Sequence, residues 1–176
     1  MSAAEMMYRA ELDLVTDAAL DWAATAWGRA MGMPAAEREA YLLAALADIA
    51  ELHGDVAAAA AVDYVRAVTR ATGEVVAVTA NSAQVEASMS WALQTQRAGL
   101  SDPAVAATLQ PRIRGAMLKL VRLRAHETVD RAAREQGRER TVKREPGACA
   151  FCIGRSGHEG AVPPFHDGCR CDVTLV

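Results

Sequence analysis

Apolar residues return at threes and fours through most of the first 136 positions, and the rhythm breaks at Gly and Pro. From Ala3 to Met31 the repeating set is Leu12, Val15, Ala19, Trp22, Ala23 and Ala26, which predicts a helix with Trp22 and Trp27 as its bulky core or helix-contact residues. Gly32 and Pro34 end this helix, and Pro34 suits the first turn of the next. That second helix runs from Ala35 to His53, with Tyr41, Leu42, Ala45, Leu46, Ile49 and Leu52 on one face. Gly54-Asp55 reads as a break or kink, and His53 before it as a cap-region residue rather than a ligand. A third helix, Asp55 to Thr72, aligns Val56, Ala60, Tyr64 and Val68, and Gly73 closes it.

The stretch Glu74 to Ala80 is ambiguous, because its β-branched residues suit a short strand while its neighbourhood is helical. Ser82 then caps a helix from Ala83 to Arg97, with Trp91 at its middle and Gly99 at its end. Ser101-Asp102-Pro103 is a helix start, an acidic cap followed by proline at the first position. The longest helical pattern follows, Pro103 to Gln136, with Pro111 as a candidate break point. Its apolar face holds Ile113, Met117, Leu120, Val121 and Val129, with Arg124 contributing only its stem. Arg112, Arg114, Lys119, Arg122, Arg131 and Arg134 fall on the other faces, and His126 reads as solvated. Gly137 stops the helix, and a β-like alternation begins around Thr141 and Val142. The chain therefore reads as mainly α: a multi-helix body over residues 1–137, and a C-terminal segment over 138–176 that combines a zinc knuckle with a short β-hairpin.

Composition supports the helices. Aromatics make up only 5% of a chain that is 52% hydrophobic, and alanine is abundant, which favours closely approaching helices over a sheet. Alanine-rich helices bury less apolar area per residue, so part of the stability is expected to come from a partner or from oligomerisation. Charge divides the chain: residues 1–100 carry six Lys/Arg against thirteen Asp/Glu, and residues 101–176 carry thirteen against nine. The basic end suggests contact with acidic surfaces or nucleic acid, against the plainer reading of a solvated helix of mixed charge. The first residues carry acids and no apolar h-region, so no signal peptide is expected, and no apolar run is long enough to predict a membrane span.

All four cysteines lie in the last 28 residues: Cys149-Ala-Phe-Cys152, then Cys169-Arg-Cys171, with His166 three residues before the second pair. In the reducing cytosol expected for a chain without an export signal, clustered cysteines bind metal more often than they pair as disulfides. A redox Cys-x-x-Cys is disfavoured because no βαβ pattern precedes it. Cys149 and Cys152 are two members of the metal site, and the other two come from His166, Cys169 and Cys171. His158 is an outlying candidate. Five candidates for four positions point to a saturated, structural zinc rather than a catalytic one that keeps a place for water. The deaminase pattern does not fit, because His158-Glu159 are adjacent and follow the Cys-x-x-Cys.

Gly147-Ala148-Cys149-Ala150-Phe151-Cys152 and Phe165-His166-Asp167-Gly168-Cys169-Arg170-Cys171 together resemble the C-terminal signature of Mu F-like minor head proteins, in the version found in tailed phages of actinobacteria. The specific overlap spans about Arg144 to Val176, and the helical body is compatible with it. The resemblance implies a minor capsid or head-morphogenesis protein of the virion, made in the host cytoplasm. Such a protein is present in few copies and is associated with the portal, the major capsid protein and the head interior, and it ends near a final strand. Contact between the basic helix and packaged DNA, mainly through phosphates, is a further expectation. Relatives are often labelled capsid maturation proteases, so a protease or other metal-dependent hydrolase is the alternative. Ser156 and His158 are close in sequence, but no acid–base constellation surrounds them, and no catalytic residue is assigned. A cytosolic zinc-finger regulator is a third reading, weakened by the lack of an aromatic-rich or strongly basic reading surface.

Overall fold

The computed structural model describes residues 2–70, 74–94, 100, 102–143 and 171–175, with the side chains of 94 and 103–107 left aside. The described residues form four helices and two short strands: α1 (Ala3–Met31), α2 (Ala35–Thr69), α3 (Ser82–Gln94), α4 (Pro103–Glu135), β1 (Arg140–Lys143) and β2 (Asp172–Leu175). The mainly helical class with a small β element is as the sequence predicts.

Ser2 caps α1 by accepting a hydrogen bond from the Glu5 amide at 3.2 Å. The turn into α2 is held by Arg38, whose guanidinium donates to the carbonyls of Met33 (2.9 Å) and Met31 (3.3 Å) and to that of Leu100 (2.8 Å) just before α4. One side chain thus satisfies helix-end carbonyls and ties the α1–α2 turn to a residue 62 positions on. Trp27 is buried against this layer, but Trp22 is 58% exposed, so only one of the two tryptophans predicted as packing residues is in the core.

The expected break at Gly54 does not occur; α2 runs unbroken for 35 residues. Glycine costs about 1 kcal/mol inside a helix. Here it lets α4 approach, because a Cβ at position 54 would lie 3.2 Å from Cγ of Arg124. His53 is accordingly inside the helix and buried, with Nδ1 2.9 Å from the Ile49 carbonyl oxygen. Gly54→Val is expected to lower stability by about 1–3 kcal/mol through overpacking against Arg124, measured by urea denaturation; an unchanged midpoint would show that α4 is free to shift. The helix ends at Thr69 with Arg70 in the left-handed region (φ 53°).

Residues 74–80 form neither strand nor helix. Side chains take the place of a ladder: the Val78 amide donates to Thr128 Oγ1 at 2.9 Å and the Ala80 amide to Asp55 Oδ1 at 3.1 Å. Asn81, not Ser82, caps α3, accepting from the Gln84 amide at 3.2 Å.

Helix α4 passes through Pro111 without a break and is the centre of the fold, packed by α1, α2, α3 and β2. Its middle is buried nearly all round, including Arg122, Arg124, His126 and Asp130. This corrects the expectation of an outward Arg122 and a solvated His126. Gly137 (φ +60°) ends the helix as predicted, with the Arg138 amide reaching back to the Ala133 carbonyl at 2.9 Å in the manner of a Schellman turn. Elsewhere the core alternates small contacts such as Ala19, Ala57, Ala61 and Ala125 with Tyr8, Leu12, Leu46, Met89 and Met117.

Candidate functional site

The two strands pair antiparallel, with Arg140 opposite Leu175 and Lys143 opposite Asp172. Residues 144–171 therefore leave and return at one rung of the hairpin. All five candidate metal ligands lie within this excursion. Cys149, Cys152, His166 and Cys169 are outside the described residues, as are His158 and Ser156. Cys171 is described: its side chain is buried immediately before β2 begins.

Below that rung lies a buried charge cluster centred on Asp172. Its Oδ1 accepts from Arg122 Nη2 at 2.6 Å, and its Oδ2 lies 3.1 Å from Arg9 Nε. The Nε2 of His126, on a ring with no exposed surface, is 3.6 Å from Oδ1. Arg122 turns its other terminal nitrogen to Asp13 at 2.8 Å. Thus β2 is joined to α1 through Arg9 and Asp13, and to α4 through Arg122 and His126. Burial acts to raise the Asp172 carboxyl, but the neighbouring His126 imidazole and the Arg122 guanidinium outweigh it and hold the group below its ordinary range. Burial likewise opposes the charged form of Arg122, and its two carboxylate partners more than reverse this.

The other ends of the strands are fixed separately. At the start of β1, Arg140 pairs with Asp130 of α4, which also holds Arg134 at 2.8 Å. At the end of β2, the Leu175 amide donates to the Tyr64 hydroxyl at 3.1 Å. Tyr64 stacks on Tyr8 with ring centroids 4.6 Å apart. Burial, together with the Asp172 charge, pushes the Tyr8 phenol far above its usual value, so it stays protonated. Its hydroxyl has no hydrogen-bond partner among the described residues.

A buried pair of this kind is a poor source of net stability, because desolvating both charges offsets most of their attraction. Breaking it is costly, since the surviving charge is left without compensation. The cluster therefore acts mainly as a position lock, admitting β2 only where Asp172 meets two guanidinium groups.

A family model described as VG15 protein matches residues 2–176. The chain belongs to the VG15 family. This is a phage-associated family, and the protein is a phage protein. No curated protein and no solved structure matches it. The VG15 match runs across the helical body as well as the cysteine-bearing segment, whereas the motif resemblance covers only about the last thirty residues.

Within this VG15-family chain, the residues that hold the C-terminal strand are ones the cysteine motif did not point to: Tyr8, Arg9, Asp13, Tyr64, Arg122, His126 and Asp172. A usable signal was present. Arg9 with Asp13, and Arg122 with His126, are ionisable pairs four apart, so each pair shares a helix face. The surface set assumed for phosphate contact also changes, because Arg122 is buried on Asp13 and Asp172.

Proposed function

We propose that the protein is a structural, non-enzymatic minor head protein of the Mu F-like kind, placed in the virion with the portal, the major capsid protein or both. Its C-terminal excursion would be stapled by a structural zinc ion. The observation that supports this most directly is the shared rung: Lys143 and Asp172 bring the two ends of the cysteine-bearing segment together, and the charge cluster fixes that rung to the body. A segment of that length, rich in Gly and Pro, has little apolar material with which to hold itself by burial, and a metal cross-link is the usual remedy.

The donor chemistry suits zinc. Cys149 and Cys152 would supply two thiolates, and two of His166, Cys169 and Cys171 would complete the set. Cys171, buried at the rung, would link such a site directly to β2. Bound zinc would supply a cross-link between the two halves of the excursion. The helical body would present the surfaces that meet capsid or portal. Among the described residues, no helix is long and apolar enough to cross a membrane.

Two measurements test this reading. Mass spectrometry and immunogold labelling of purified virions should find the protein in DNA-filled heads, and its absence from them would overturn the assignment. Metal analysis of the purified chain should return about one zinc per chain. Cys149→Ser should abolish it while leaving the far-ultraviolet helical signal largely intact, because the described helices pack on one another and on β2. Protein purified without chelators and containing no zinc would sink the staple.

A further inference from the structure

The cysteine-bearing excursion can be closed from two sides. From outside, the rung sets Lys143 opposite Asp172. Asp172 is seated on the body by Arg122 at 2.6 Å and Arg9 at 3.1 Å. From inside, the zinc ion proposed above would draw Cys149 and Cys152 to two of His166, Cys169 and Cys171. The candidate ligands are spaced evenly about the rung: Cys149 comes six residues after Lys143, and His166 six before Asp172. Cys171 is the immediate neighbour of Asp172 and is itself buried.

Each closure shortens what the other has to close. Without a cross-link, the rung must close residues 144–171, a loop of 28. With one, only the arms 144–148 and, at the longest, 167–171 lie between the rung and the ligands. Loop-closure entropy grows as about 1.5 RT ln n, so cutting n from 28 to about ten favours the rung roughly fivefold. Linkage makes the gain reciprocal: a formed rung favours zinc binding by the same factor.

Building on the zinc staple, on which this rests, we propose that Arg122 and Arg9 are positioning residues for the zinc site. By seating Asp172 they keep the rung formed, and the formed rung raises the excursion's affinity for zinc. Metal occupancy is thereby felt as stability of the helical body, although every candidate ligand lies outside α1 to α4. Virion location has no bearing on this coupling.

Zinc titration of the full chain against a competing chromophoric chelator tests it, at a temperature where circular dichroism shows the helices formed. Arg122→Met and Arg9→Gln, neither at a candidate ligand, should each weaken zinc binding, Arg122→Met by about fivefold or more. Arg9→Gln is the milder change, because that side chain is 29% exposed, and it decides the matter should Arg122→Met fail to fold. Arg38→Ala loosens the α1–α2 turn without removing a contact of Asp172, and should leave zinc affinity unchanged. A second readout needs no variant: removing zinc with a chelator should lower the melting temperature of the wild-type helical signal, and should lower it less in Arg9→Gln. Zinc bound as tightly by both arginine variants as by the wild type overturns the proposal. So does a melting temperature indifferent to zinc. Equal weakening in Arg38→Ala also overturns it, since that marks a general loosening of the body. Wild-type protein that takes up no zinc at all overturns the staple itself, and the coupling with it.

Discussion

Replacing Arg122 by methionine is expected to destabilise the protein by about 3–5 kcal/mol, the usual result of removing one partner from a buried ion pair. The substitution keeps much of the side-chain length but strips Asp172 of its 2.6 Å partner inside the core. Arg9 remains near Asp172, yet it is partly exposed and approaches the other carboxylate oxygen, so it does not replace what is lost. Asp13, with half its side chain in water, loses little, because an exposed carboxylate is readily rehydrated. The informative comparison is the double variant Arg122→Met/Asp172→Leu. If the cluster specifies position rather than supplying net energy, the double variant should be more stable than Arg122→Met alone. Urea denaturation of the wild type, both single variants and the double variant decides this. A double variant that is the sum of the two singles would mean that Arg122 and Asp172 do not act as a pair.

Truncation after Gly137 should have a larger effect still: the helices should no longer fold as a stable, cooperative unit. The cut removes Asp172 from Arg122, Arg9 and His126, and Arg140 from Asp130. It also uncovers the core where Val173 and Leu175 were buried. Those two side chains are worth roughly 1.5–3 kcal/mol each, and Arg122, left buried with Asp13 but without Asp172, adds up to about 3–5 kcal/mol. Together these rival the whole stability of an ordinary domain, about 5–15 kcal/mol. Thermal unfolding followed by circular dichroism should show a broad, early transition in place of a sharp one. A truncated body that melts as sharply and as late as the full chain would show that β2 is dispensable.

The helices were legible from sequence because their signals are local. Gly32, Pro34, Pro103 and Gly137 mark ends or starts that do not depend on the rest of the fold, and β1 falls where Thr141 and Val142 alternate. What sequence missed depends on partners distant in the chain. Gly54 reads as a break until Arg124 is seen crossing it. Arg122 and His126 read as surface residues because an amphipathic pattern assumes one wet face, and a central helix has none there. Trp22 errs in the other direction: its spacing places it beside the core stripe, but it is more than half exposed. For the candidate site, the cysteine spacing is the basis of the proposed zinc chemistry, whereas the charges that fix β2 include Arg9, 163 residues before Asp172.

The Lys143–Asp172 rung has a consequence for how this protein can vary through evolution. A loop whose two ends are already held together pays only a logarithmic penalty for added length, roughly 0.6 kcal/mol for each doubling. Added length between positions 143 and 171 therefore costs the fold little. The helical body acts as a socket with a fixed mouth, shared by inserts of different length through the same Lys143–Asp172 rung.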